Sequence, residues 1–245
     1  MIRYRDELSL APRSANRLEL GADETQVWPL ALAEARVRAE SLIGLLAPDE
    51  RAKAARYHRP EDRDRYTVAR GMLRTILAGY LGHDPARLSF TYSSYGKPFL
   101  IETQNREGLC FNLSHSHEQA LLAVAWRCEL GVDIEFMRED LANLEIAERF
   151  FSKAEVAVLQ SLPAAQQMVA FFNCWTRKEA YIKALGEGLS HPLDRFTVSL
   201  EPGRPAALLT AENDPEAPRQ WRLDALETSP GYVAALAVKR PRHEL

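Results

Sequence analysis

The stretch from Trp175 to Leu189, WTRKEAYIKALGEGL, places the tightest constraint on what this chain can fold into. It reads as the end of a long helix that follows Pro163 and stops at Gly186. At about 100° per residue, Phe171, Trp175, Ile182 and Leu185 form one apolar stripe, and Glu179 falls inside that stripe. A carboxylate there loses hydration and needs a cation beside it, either a metal or a basic side chain. Lys183, one turn on, is one such cation, although a solvated pair of this kind contributes only about 0.2 to 0.5 kcal/mol.

A second stretch, Gly131 to Glu135, reads GVDIE. In an extended segment Val132 and Ile134 point one way while Asp133 and Glu135 point the other, their Cα atoms roughly 6.5 to 7 Å apart. Three carboxylates converging with no Cys and no obligatory His suit a hard cation held through oxygen, so Mg2+ is favoured over Zn2+. The candidate metal ligands are Asp133, Glu135 and Glu179.

A chain of 245 residues is long enough to bury a sizeable core. Its 31 basic and 34 acidic residues leave a net charge of -3, which argues against a general affinity for nucleic acid or anionic membrane. Phosphate recognition must then be local. The three cysteines, Cys110, Cys128 and Cys174, are an odd number without a CxxC spacing and read as small hydrophobes in a reducing compartment. The longest apolar run, Ala120 to Trp126, is far short of the roughly 18 residues a membrane span needs, and no apolar signal core follows the Arg-bearing start. A cytoplasmic protein is expected.

Taken in order, residues 1–22 lack periodicity and are expected to form an irregular extension. Val27 and Trp28 predict a short strand, Pro29 to Glu40 an amphipathic connection, and Pro48-Asp49-Glu50 a helix start. From Arg63 to Leu81 the residues Ala69, Met72, Leu73, Ile76, Leu77, Tyr80 and Leu81 keep a helical apolar pattern. Arg63, Arg70 and Arg74 share one flank of that helix. Between 51 and 74 there are eight basic residues against three acids, which reads either as a solvated face or as a phosphate-binding patch.

Strands are expected over Leu88 to Tyr92, Phe111 to His115 and Ala120 to Trp126, with a turn carrying Lys97 before Pro98. His115 and His117 form an HxH pair, but no third ligand follows at a zinc-like spacing. In the second half, Leu144 to Phe151 reads as helix and Ser152 to Glu155 as a capping box. Three strands follow the long helix, at Phe196 to Leu200, Trp221 to Leu226 and Tyr232 to Val238.

The segments GVDIE, RFFSKAE (149–155) and WTRKEAYIKALGEGL, with YGKP at 95–98 and FNLSHS at 111–116, together resemble the 4'-phosphopantetheinyl transferase superfamily, in its long, surfactin-type branch. No one of them is diagnostic singly; five in the right order make a strong signal. The fold expected is α+β, with two similar lobes in a pseudo-two-fold arrangement, each strand, helices, strands, and the active site in the cleft between them. The boundaries expected are 1–22 for the extension, 23–128 for the N-terminal lobe and 129–245 for the C-terminal lobe.

The resemblance implies transfer of the 4'-phosphopantetheine arm from coenzyme A to a serine of an apo acyl or peptidyl carrier protein, with Mg2+ as cofactor and release of adenosine 3',5'-bisphosphate. It implies catalytic roles for Glu179 and Lys183, and coenzyme A contacts by Lys53, Arg51, Arg70, Lys97, Ser114, His115 and Lys183. Glu179, directly or through water, is the first choice for the group that removes the serine proton, a role in competition with metal binding. The chain departs from related sequences where they crowd lysines after the first helix start: it has Glu50, Arg51 and Lys53, and Pro60 reads as an added residue. A cytoplasmic monomer with no nucleic-acid or membrane partner is expected.

Two rival readings come from other classes. A serine hydrolase built on Ser114 and His115 lacks a GxSxG elbow, and adjacent strand residues face opposite ways. An RNA or nucleotide binder using the Arg-rich helix would leave the acidic residues unexplained.

Overall fold

A computed structural model describes residues 1–5, 17–33, 35–188 and 191–240. The fold is mixed α+β, and the chain divides into two compact units, one of Met1–Tyr92 with Pro98–Arg127, the other of Ser93–Lys97 with Cys128–Leu245. No helix among the described residues is long and apolar enough to cross a membrane.

The first unit begins with β1 (Ile2–Tyr4) and β2 (Thr25–Ala31), then α1 (Ala35–Leu42), α2 (Pro48–Ala54) and α3 (Pro60–Leu81). A small hairpin, β3 (Phe90–Tyr92) and β4 (Pro98–Leu100), precedes the longer hairpin β5 (Leu109–Ser116) and β6 (Gln119–Trp126). The main sheet has the order β1-β2-β6-β5. Its first strand corrects the expectation of an irregular arm: Ile2–Tyr4 pairs in parallel with Thr25–Val27, and Leu18 and Leu20 pack on the core. The edge of β2 offers unpaired backbone groups, which a three-residue segment can satisfy without any readable alternation. Residues 6–16 of that expected arm lie outside the described residues.

The helix expected from Arg63 starts three residues earlier. Pro60 occupies its first turn, where a missing N–H is no loss, and Gly82 closes it at φ 68°. Its apolar stripe is sealed: Val68, Met72, Leu73, Ile76 and Leu77 are fully buried against Trp28, Leu122 and Val124.

The arginine flank does not stay in solvent as a phosphate patch would. Arg70 is 8 % exposed and Arg74 1 %, and both pair with Glu50 of α2, itself 2 % exposed. Arg74 Nε donates to Glu50 Oε2 at 2.6 Å, and its Nη1 to the carbonyls of Pro85 and Leu88, each at 2.9 Å. Arg70 donates to Glu50 Oε1 and to the Tyr92 hydroxyl, with its guanidinium 4.3 Å from the Phe90 ring centroid. Burial pushes the Glu50 carboxyl up, but the two arginines and the Ala47 N–H outweigh it and hold it below the ordinary range. Arg70, expected as a coenzyme A contact, forms half of the clamp that seats α2 on α3. Replacing Arg70 with Met should destabilise the protein by about 1 to 3 kcal/mol, since Glu50 Oε1 loses its arginine and the carboxylate keeps only Arg74 and the Ala47 N–H. Urea unfolding measures this, and an unchanged midpoint would restore the solvated reading.

The second unit runs β7 (Leu130–Phe136), α4 (Leu144–Phe150), α5 (Lys153–Ser161), α6 (Ala164–Leu185), β8 (Phe196–Val198), β9 (Leu208–Ala211), α7 (Ala217–Gln220), β10 (Trp221–Leu226) and β11 (Tyr232–Lys239). Its sheet has the order β10-β11-β7, antiparallel throughout, with β8 and β9 as a separate pair. β9 lacks a sequence signal because it is short and half exposed. The antiparallel trio of the first unit, β5-β6-β2, follows the same plan, with the last strand in the middle.

Long helix α6 packs on β7 and β11. Its rotation is set from the opposite side. Lys178, fully buried, donates to the Leu193 and Phe196 carbonyls at 2.7 and 2.6 Å and pairs with Glu155 at 2.8 Å. Glu155 in turn closes the capping box on Ser152 and accepts from the Val198 N–H. Arg177 donates to the Ser199 carbonyl and hydroxyl, and Asn173 to the Leu200 carbonyl. Residues two places apart on a helix lie about 200° from each other, so fixing Arg177 against Ser199 turns Glu179 and Lys183 the other way.

Candidate active site

β7 and α6 approach closely because Gly131 has no side chain. A Cβ built there would stand 2.2 Å from the Ala180 carbonyl oxygen and 2.4 Å from the Ala184 nitrogen, both helix backbone. Two residues along, Asp133 is 2 % exposed, while Glu135 on the same face is half-buried. β7 is a continuous strand here, so Val132 and Ile134, both fully buried, alternate across its faces with Asp133 and Glu135.

From the helix side, Lys183 Nζ donates to Asp133 Oδ1 at 2.5 Å. The cation that the sequence pairs with Glu179 along the helix thus also reaches across to the strand. Burial raises the Glu179 carboxyl to about 7; Lys183 works against that, while the negative charges of Asp133 and Glu135 add to it. For Lys183, burial favours the neutral form, but Asp133, Glu179 and Glu135 prevail and hold its ammonium above the ordinary lysine value. Asp133, Glu135, Glu179 and Lys183 therefore act on one another as a single electrostatic group.

Such a group fits a divalent cation by its chemistry: all donors are carboxylate oxygens, and the negative charge of Asp133 and Glu135, which adds to burial in lifting Glu179, is what a cation would neutralise. Among the described residues no three His, Cys, Asp or Glu side chains already form a cage, and the Lys183 ammonium lies on Asp133.

The raised proton affinity of Glu179 has a sign that can be measured. The folded protein holds the proton more tightly than the unfolded chain, so stability from this group is full below pH 4.5 and is lost as pH rises to about 7. Metal-free protein should therefore lose about 2 kcal/mol of stability relative to Glu179→Gln between pH 5.5 and pH 8, and melt lower at the higher pH. Parallel thermal melts of the two proteins check it.

The remaining sequence candidates are placed as follows. Arg51 and Lys53 are exposed on α2, with Lys53 5.5 Å from the Tyr66 ring centroid. Ser114 is buried and His115 exposed at the end of β5, and His117 sits in the following turn with φ 51°. Lys97, expected as a phosphate contact, donates to the carbonyls of Leu130 and Ala184 at 3.2 and 2.9 Å. Sequence reasoning missed Lys178 and Gly131. Lys178 neighbours Glu179 in the same motif and could have been singled out as a second charge at a buried helical position.

Two family models match this chain, the 4'-phosphopantetheinyl transferase superfamily over residues 129–237 and the 4'-phosphopantetheinyl transferase N-terminal model over 35–127. Among curated relatives, 4'-phosphopantetheinyl transferase HetI of Nostoc sp. is 40 % identical over 227 residues, covering 93 % of this chain and 92 % of the relative. 4'-Phosphopantetheinyl transferase Sfp of Bacillus subtilis is 30 % identical over 203 residues, 82 % of this chain and 86 % of the relative. A solved structure of Thermotoga maritima holo-[acyl-carrier-protein] synthase overlaps 46 % of this chain and 64 % of its own, at TM-score 0.37 and 22 % identity. With both halves matched by the family and relatives 30 to 40 % identical over most of their length, the chain belongs to the 4'-phosphopantetheinyl transferase superfamily, in the branch of Sfp and HetI, and is an enzyme of that type.

Proposed function

We propose that the enzyme transfers the 4'-phosphopantetheine arm of coenzyme A to a serine hydroxyl of an apo acyl or peptidyl carrier protein, dependent on Mg2+ and releasing adenosine 3',5'-bisphosphate. The observation that carries this reading is the coupling of Asp133 and Glu135 on one strand with Glu179 and Lys183 on one helix. Asp133, Glu135 and Glu179 would hold the cation, which supplies charge neutralisation to a diphosphate under attack. Glu179, directly or through water, takes the proton of the attacking serine. The serine oxygen forms a new bond to the phosphorus that bears the pantetheine arm, and the bond to the nucleotide phosphate breaks. Lys183 stays cationic beside Asp133 and stabilises the leaving phosphate. Arg51, Lys53, Ser114 and His115 supply further phosphate contacts.

The same reading makes the protein a cytoplasmic monomer; its net charge of -3 supports the absence of a general nucleic-acid or anionic-membrane partner. It also takes the two units as variants of one plan, in line with their common strand order. The test is direct. The protein is incubated with Mg2+, coenzyme A and a panel of apo carrier proteins, and the carriers are weighed by mass spectrometry. One or more should gain the mass of phosphopantetheine, and chelation should abolish the gain. No gain on any carrier, or a gain indifferent to chelation, would overturn the proposal.

A further inference from the structure

We infer that Lys97 is a positioning residue of this site, an ammonium that ties the start of β7 to the end of α6. The inference rests on the reaction proposed above, whose chemical groups stand on those two elements. Lys97 closes a tight loop: its carbonyl accepts from the Ser93 N–H at 2.9 Å, its own N–H donates to Ser93 Oγ at 3.1 Å, and Gly96 turns at φ 83°. Pro98 further restricts its backbone. The side chain therefore leaves from a fixed point.

Its stem passes over Gly186, with Cδ 3.2 Å from where a Cβ on that glycine would stand. At the tip, Nζ donates to Ala184 O at 2.9 Å and to Leu130 O at 3.2 Å. The first acceptor is one of the last helix carbonyls, which have no partner within α6, and a cation at that end also meets the negative pole of the helix dipole. The second acceptor immediately precedes Gly131. Ala184 follows Lys183, and Leu130 lies three residues before Asp133, so one ammonium bridges the backbone on both sides of the Lys183–Asp133 contact. Gly131 allows strand and helix to close, and Lys97 holds them closed. A phosphate ligand would aim its donors outward; here two of the three donors of the ammonium are turned onto backbone carbonyls.

Lys97→Met, which keeps the stem and removes the donors, separates positioning from phosphate binding. For positioning, kcat should fall about tenfold or more while KM for coenzyme A changes less than about twofold. Lys97→Arg, able to donate to both carbonyls, should recover most of kcat, and it reads the same split should the Met variant not fold. Hydrogen exchange supplies a measure independent of turnover: amides at 130–133 and 183–186 should lose about tenfold or more of their protection in Lys97→Met. A KM raised tenfold or more with kcat retained would make Lys97 a phosphate ligand and overturn the inference, as would unchanged exchange at both segments. A wild-type protein inactive with coenzyme A would sink the proposed reaction, and exchange alone would then decide whether the bridge exists.

Discussion

Glu179→Gln is expected to lower phosphopantetheine transfer by about 10²-fold or more without loss of stability. The substitution keeps the shape and hydrogen-bonding reach of the side chain and removes only its charge. In the metal-free protein that charge is a burden, because burial and the neighbouring Asp133 and Glu135 lift the carboxyl to about 7. The variant should therefore be as stable as the wild type in acid and more stable at pH 8. Turnover moves the other way, since the amide can neither take the serine proton nor offer a full negative charge to a cation. A thermal shift on adding Mg2+ gives the second readout: the wild type should rise, the variant much less. Normal turnover with a small loss of stability would return Glu179 to a surface partner of Lys183 and dissolve the three-carboxylate site.

Gly131→Ala should be strongly damaging to the fold, although it adds one methyl group. That methyl would stand 2.2 Å from the Ala180 oxygen and 2.4 Å from the Ala184 nitrogen, where ordinary contacts need about 1 Å more. Neither atom is the tip of a flexible side chain. Relief requires moving the whole last part of α6 away from β7, against the Lys178, Arg177 and Asn173 contacts that pin the helix from behind. A loss of about 3 kcal/mol or more is expected, or a melting temperature lower by roughly 6 to 12 °C for a chain of this size. Transfer should fall as well, because Lys183 and Asp133 are drawn apart. A variant that melts like the wild type would show that strand and helix are not in hard contact at this point.

What the sequence determined by itself is local. The 3.6-residue period marked α3 and α6, the two-residue period put Asp133 and Glu135 on one face of β7, and the Ser152–Glu155 capping box and the stop at Gly186 were legible from neighbouring residues. Glu179 inside an apolar stripe announced that a counter-charge was needed. Which charge answers was decided by tertiary structure, across 50 residues for Lys183 with Asp133 and 87 for Lys97 with Ala184. The arginine flank shows the same division: its periodicity was plain, yet only the docking of α2 withdrew Arg70 and Arg74 from solvent to meet Glu50. Even β1 became a strand through an open edge elsewhere in the chain rather than through its own residues. Periodicity reports which way a side chain points from its own element. A buried charge is stable only with a partner at a few ångströms, and that distance is set by how the elements pack.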